Sequence, residues 1–453
     1  MTTAPDTPDA VLQPRASWRE SMAVYLQPRV LIVLMLGLSS GLPLALSGST
    51  LLVWMRESGV DLGTIGLFAL VGTPYTLKFL WAPLIDALHV PLFTRAFGRR
   101  RGWLVFSQLL LIAAILLLAL TDPARSPLFV ALGALLVATM SSTQDIVVDA
   151  FRVESLPESE QAAGMASYVA AYRIGMLIST AGILFLVSAF EATGIARSSA
   201  WMWGYVAMAA LVLIGTVTAL LATEPEQSVQ AEAATRSESA FQRVLRAAIG
   251  AFSEFLSRKD AWAALAFVVL FKFTDAFSGT MTAPFVIDIG FTRNDYAAIV
   301  KGVGLAATLI GGFAGGFVAR RYSLEASLWI GAVLQAVSNL AFAWLALVGV
   351  NQWALALAIS VENFTSAIGT VIFVAYLSAL CKNPLHTATQ YALLTALAAV
   401  GRTYLSAGAG YVAQATGWPL FFVISVLVAV PSLVLLLWLQ RRGHFAALGP
   451  VRV

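Results

Sequence analysis

Four basic residues, Lys78, Arg173, Lys272 and Arg402, stand in stretches of sequence that are otherwise apolar, with Lys301 a fifth. Acids accompany them at Asp86, Asp145, Asp149, Asp275 and Glu362. A charge at the centre of a bilayer costs on the order of 3 kcal/mol by insertion scales, so such groups face a water-filled cavity or one another. Counted at about 1.5 Å per residue from the ends of their stretches, Lys78, Arg173, Lys272, Asp275 and Arg402 fall near mid-membrane, and Glu362 slightly to the outer side. Cations outnumber anions there. That surplus suits an anionic solute that brings its own carboxylates or phosphates. The competing use is internal ion pairing that fixes helix packing, and Lys272 with Asp275, three apart on one helix, can neutralise each other.

The stretch "SSTQDIVVDAFRVESLPESEQ" at 141–161 follows thirteen uncharged residues. Asp145 and Asp149 are four apart and share a helix face. With a helix end near 151, Asp145 lies ~9 Å inside and Asp149 close to the interface. Asp149, three residues before Arg152, reads as an interfacial ion pair or a gate residue. Asp145 with Gln144 reads either as a polar site lining a cavity or as a packing anchor, and either acid is a candidate to carry a proton. Among the aromatic residues Tyr75 and Tyr172 are the cavity candidates, able to stack on sugar rings. Trp54, Trp81, Tyr376 and Tyr404 read as packing or interface anchors. In "APLIDALHVPLFTRAFGRRRGW" at 82–103, Asp86 ends one helix and the Arg99, Arg100, Arg101 cluster opens the next.

The elements that position these groups are membrane helices. Of 453 residues, 59% are hydrophobic and 11% charged, against about 25% charged in soluble domains; mean hydropathy is +0.82. The expected fold is all-α and membrane-integral. Since about 20 residues cross the hydrocarbon, twelve transmembrane helices are expected, at 30–55, 62–88, 102–121, 127–151, 161–190, 200–222, 260–288, 295–319, 323–348, 352–381, 386–415 and 417–440. The chain then divides into a tail (1–29), a six-helix half (30–222), a polar linker (223–259) with an amphipathic stretch at about 240–256, a second half (260–440) and a tail (441–453). "ASYVAAYRIG" aligns with "TQYALLTALA", and "ATG" with "ATG", in the same orientation. That is the mark of two parallel repeats around a midplane cavity.

Nineteen of the 28 Lys and Arg residues fall on one side of these spans, and only Arg56, Arg125, Arg197 and Arg293 on the other. The positive-inside bias therefore puts both termini in the cytoplasm. No cleavable leader is apparent. The only cysteine, Cys381, excludes an intramolecular disulfide and a CxxC metal site, and His89, His386 and His444 sit near helix ends. No HExxH occurs, and no nucleophile–base or metal constellation appears within the spans, against an intramembrane enzyme. No large soluble domain is present to support a receptor. No metal, cofactor or nucleic acid is expected, lipid is the surroundings, and the chain reads as a monomer.

The residues go further. "GLSSGLPLALSGSTLLVWMRESGVDLGTIGLFALVGTPYTLKFLWAPLIDAL", "FGRRRGWLVFSQ", "SSTQDIVVDAFRVESLPESEQAAG", "YRIGML", "FKFTDAFSGTMTAPFVIDIGFT" and "FVAYLSALCKNPLHTATQYALLTALAAVGR" together resemble the AmpG family of muropeptide permeases. The match runs in order from about residue 30 to 440. The resemblance implies a major facilitator superfamily fold in the bacterial inner membrane. It also implies import of N-acetylglucosaminyl-1,6-anhydro-N-acetylmuramyl peptides for cell-wall recycling, driven by the proton gradient, with a β-lactamase induction signal where such a response exists. Relatives in the same branch carry siderophores or acetyl-CoA, so another bulky anion is the alternative cargo. On this reading Lys78, Arg173, Lys272 and Arg402 hold cargo carboxylates, while Gln144, Tyr75, Tyr172 and Glu362 contact its polar groups. Asp275 and Asp145 are the proton sites, and Asp86, Arg99, Arg100, Arg101, Asp149 and Arg152 form the cytoplasmic gate.

Overall fold

A computed structural model describes residues 23–225, 260–380 and 387–448. The N-terminal residues, the amphipathic part of the linker and the last five residues lie outside these. Among the described residues every regular element is helical. Ten helices are long and apolar enough to cross a membrane: α1 (Pro28–Glu57), α3 (Arg99–Ala119), α4 (Pro127–Ser155), α5 (Ala163–Ala192), α6 (Arg197–Leu221), α7 (Ala261–Asp288), α8 (Arg293–Arg321), α9 (Leu324–Val348), α10 (Gln352–Leu380) and α12 (Trp418–Arg441).

The remaining two expected spans are present as shorter helical pieces, and α1 and α12 are each interrupted once, at Ser47–Gly48 and at Val428–Ala429. α2, at 62–87, is a chain of short α and 3-10 turns, and α11, at 387–416, breaks into 3-10 geometry at Leu405–Gly408. The causes are local. Pro74 and Pro83 in α2 lack the N–H that an α-helix interior needs. In α11 the Ser406 hydroxyl donates to the Arg402 carbonyl just ahead of Gly408, and such back-bonding bends helices. Helix starts follow ordinary chemistry as well. Ser323 Oγ accepts from the Ala326 amide at 3.2 Å to open α9. Thr292 and Asp295 make a reciprocal capping box at the head of α8. Asp61 caps α2 through the Thr64 hydroxyl and amide, and these bonds hold its carboxyl below the ordinary value.

The same packing pattern occurs twice. In the first half α1 lies on α5, and α3 on α4 and α6; in the second α7 lies on α11, and α9 on α10 and α12. The parallel repeat is thus visible in the packing. Small residues allow the closest approaches: Gly37 and Gly41 of α1 meet the backbone of Tyr168 and Tyr172 in α5, and Gly311 and Gly315 of α8 meet α10 at Phe364 and Ile368.

The halves meet along two seams, α2 with α11 and α5 with α8, with α1 also against α7. Each seam joins two spans with the same irregularity. α2 and α11 both carry 3-10 turns, while α5 and α8 both carry π turns, at Ile178–Gly182 and Tyr296–Val303. Such turns leave backbone groups less rigidly bonded where one half slides on the other. In the first seam Gly66 and Gly410 pack backbone on backbone, so that a Cβ on Gly66 would stand 2.8 Å from the Gly410 nitrogen and one on Gly410 would collide with the Leu62 carbonyl. Gly410→Ala is therefore expected to part this seam. Cross-linking between cysteines placed at positions 76 and 403, whose native hydroxyls are 3.2 Å apart, should fall severalfold in the variant. Unchanged cross-linking would show that the seam absorbs the methyl group.

Candidate functional site

Along the α5–α8 seam lies an open cavity of about 320 Å³, lined among others by Ser49, Arg173 and Thr180 from the first half and by Lys301, Thr308, Glu362 and Asn363 from the second. Its charged groups come from α5, α8 and α10. Lys301 Nζ lies 3.5 Å from Ser49 Oγ across the halves and 5.3 Å above the Tyr296 ring. Glu362 accepts from the Asn363 amide at 2.8 Å, and Asn363 in turn accepts from Thr308 at 3.1 Å. Arg173 is exposed, and among the described residues its guanidinium makes no hydrogen bond or ion pair. A guanidinium presents five donors. One that projects into a cavity unpaired is a ready anion receptor.

The other expected cargo residues fall into two groups around this space. On the first-half side, Asp145 accepts from the Ser40 hydroxyl at 2.5 Å, with Lys78 and Asp149 within electrostatic reach. Because α4 continues to Ser155, Asp145 is about 15 Å from the helix end, deeper than the sequence count places it. Tyr172 lies within reach of the charges of both Arg173 and Arg402, which come from opposite halves, and its ring is 6.0 Å from that of Tyr168. The Tyr75 hydroxyl is buried without a hydrogen-bond partner among the described residues. Gln144, at 0% exposure, likewise has both its amide atoms unpaired there. On the second-half side, Lys272 and Asp275 do pair, at 3.5 Å. Both also reach α10: Lys272 donates to Thr370 at 2.8 Å and Asp275 accepts from Ser366 at 2.8 Å.

Among the described residues the arginine cluster at the head of α3 is tied to its own half and to the first residues of the linker. Arg100 donates to Glu154 from Nε (3.0 Å) and Nη2 (2.5 Å), and Arg99 stands 4.0 Å from the same carboxylate. The Glu224 carboxylate accepts from the backbone amides of Arg100 and Arg101 at 2.8 and 3.0 Å. It satisfies two of the orphan donors at a helix N-terminus and complements the helix dipole. Gly98, at φ +92°, makes the turn that lets this carboxylate approach, and any Cβ there would collide with it. Arg101 donates to the Ala219 and Leu220 carbonyls. Asp86 lies in the helix Ala82–Ala87, and its side chain is outside what the structure describes. Asp149 and Arg152 pair at 3.7 Å.

Among the described residues the bonds that join the two halves lie at mid-span and toward the arginine-poor end, and apart from Lys301 they fall on residues to which sequence reasoning gives no site role. Arg293 of α8 donates to Glu57 of α1 at 2.8 Å and to Glu191 of α5 at 2.9 and 3.3 Å. Its guanidinium sits 5.6 Å over the Trp201 ring, and Trp201 itself donates to Glu57 at 3.0 Å. Beside it, Arg56 pairs with Asp288, which also accepts from Trp418 at 2.5 Å. Deeper in, Thr76 and Thr403 are 3.2 Å apart. The structure is thus clasped shut at the arginine-poor end. The one signal in the sequence is that Arg56 and Arg293 are among the four exceptions to the arginine bias.

Residues 30–404 match the Major Facilitator Superfamily. The chain is 39% identical over 417 residues to the anhydromuropeptide permease of Escherichia coli (strain K12), covering 92% of this chain and 80% of that protein. It is 34% identical over 419 residues to putative transporter AmpG 4 of Rickettsia felis, covering 92% and 98%. Among solved structures, a point mutant of the nucleoside transporter NupG superposes with a TM-score of 0.68 at 14% identity, covering 94% of this chain and 100% of that one. A POT family transporter in complex with a thioalcohol-conjugated peptide gives 0.66 at 13%, covering 91% and 96%. These structural likenesses speak to the fold.

Proposed function

Because this chain belongs to the Major Facilitator Superfamily and, within it, to the AmpG-like permeases, we propose that it imports anhydro-muropeptides into the cytoplasm in symport with protons. The observation that carries the reading is Arg173, unpaired among the described residues and facing the cavity between the halves, in a chain 39% identical to an anhydromuropeptide permease. The arginine-rich end faces the cytoplasm of a bacterial inner membrane, so the clasped end is the outer one. Lys78, Arg173, Lys272 and Arg402 hold the carboxylates of the peptide stem. Tyr75, Tyr172, Gln144 and Glu362 contact sugar and peptide polar groups. Asp275 and Asp145 take up the proton, and Asp86, Arg99 to Arg101, Asp149 and Arg152 close the cytoplasmic side. The product serves cell-wall recycling and, where the host has the response, β-lactamase induction.

Electrostatics argue for the proton. Moving one negative charge into a cell costs about 2.3 kcal/mol per 100 mV of inside-negative potential. An anionic cargo therefore needs at least one accompanying proton per net charge merely to escape that penalty. The test is uptake of labelled anhydro-muropeptide into liposomes bearing purified protein, with and without an inward proton gradient. Accumulation that depends on the gradient and is competed by unlabelled disaccharide is expected. A folded protein that takes up none would hand the cavity to another bulky anion, such as a siderophore.

A further inference from the structure

We infer that Arg293 is a cargo-binding residue at the outer mouth, and that Glu57 and Glu191 occupy it in the closed state as stand-ins for cargo carboxylates. The inference rests on the proposed anionic cargo. Arg293 is 6% exposed and is held by two carboxylates, with one bond from Nε to Glu57 and two to Glu191. Both acids belong to the first half and Arg293 to the second, so opening the outer end must strip the guanidinium of both. A guanidinium stripped of both carboxylates, and of the Trp201 ring that belongs to the first half, is then presented at the mouth of the path, its donors spaced for carboxylates.

Charge in the cluster also supports exchange. Glu191 is additionally held by Arg197 at 3.1 Å, and Glu57 by Trp201 at 3.0 Å, so each acid keeps a partner in its own half when Arg293 departs. The clasp therefore opens without orphaning either carboxylate. Lys301, eight residues further along α8, lines the cavity deeper in the same span. A carboxylate displaced from Arg293 as Glu57 and Glu191 return has this next cation to move to. Closure of the gate and delivery of the cargo become one ligand exchange.

The test measures KM and kcat for external anhydro-muropeptide in proteoliposomes, together with inhibition by an analogue whose peptide carboxylates are amidated. Arg293→Gln is expected to raise KM for the carboxylate cargo about tenfold, with the amidated analogue's inhibition constant unchanged and Arg293→Lys recovering part of the loss. Glu191→Gln is expected to lower KM while slowing kcat, because the guanidinium is contested by one acid instead of two. Should Arg293→Gln fail to fold, Glu191→Gln decides alone, and an unchanged KM overturns the inference. A change in kcat with both KM and the analogue's inhibition constant unmoved would make Arg293 a lock and nothing more. Absence of uptake by the wild-type protein would instead overturn the cargo reading, and this inference with it.

Discussion

Arg173→Gln is expected to raise the KM for anhydro-muropeptide uptake about tenfold, a loss of roughly 1.4 kcal/mol of binding, while leaving the melting temperature within about 1 °C of wild type. The two halves of this expectation come from one observation. Because the Arg173 guanidinium makes no hydrogen bond or ion pair among the described residues and is exposed to the cavity, folding does not depend on its charge, and a surface-like substitution changes stability by less than about 0.5 kcal/mol. Lys272 makes the contrast. It is paired with Asp275 and bonded to Thr370, so Lys272→Gln strands a partly buried carboxylate and should lower stability as well as uptake. Steady-state uptake and thermal unfolding in detergent separate the two. If Arg173→Gln were to destabilise the protein while leaving KM alone, Arg173 would be a packing residue and the cavity would lose its principal anion receptor.

The fold is legible because it is written in hydrophobicity. Ten expected spans appear as long apolar helices, and the parallel repeat, faint in the alignment of Tyr168 with Tyr391, is plain in the helix pairings. What the sequence obscures is backbone irregularity. Hydropathy averages over a window, and a run such as "FALVGTPYTLKFLWAPLIDAL" is equally apolar whether it coils as α-helix or as broken turns, so the warning lies in Gly72, Pro74 and Pro83. The midplane cations stand out because charge in an apolar span is conspicuous. The outer clasp escapes notice for the opposite reason. Glu57, Glu191 and Arg293 lie at span ends, where charge is ordinary, and only tertiary structure reveals that three separate helices bring them within 3.3 Å. The arginine turn at 99–101 shows the same limit: its partners Glu154 and Glu224 lie about 55 and 125 residues away in sequence, beyond the reach of any local spacing rule, which points to Asp86.

Asp275→Asn and Asp145→Asn are expected to abolish gradient-driven accumulation while sparing exchange of cargo between the two sides. An amide is nearly isosteric with a protonated carboxyl and cannot release a proton, so the variant is held in the loaded charge state. Both sites tolerate the change locally. At Asp145 the Ser40 hydroxyl donor, now at 2.5 Å, meets an amide oxygen that accepts equally well, and at Asp275 the Ser366 donor, at 2.8 Å, does the same. Lys272 loses its ion pair in Asp275→Asn but retains Thr370 at 2.8 Å. The halves can therefore still rock with cargo aboard, which is all that exchange requires. What disappears is coupling. Each proton beyond those that offset the cargo's own charge supplies about 2.3 kcal/mol per 100 mV, near a fifty-fold concentration ratio, and a carrier that cannot release the proton can neither return empty nor collect that ratio. Accumulation and counterflow measured on the same proteoliposomes distinguish the cases. If only one variant uncouples, that carboxylate carries the proton and the other serves packing. If both accumulate cargo as wild type does, neither is the coupling site, and Glu362, the carboxylate that lines the cavity with Arg173 and Lys301, becomes the one to substitute next.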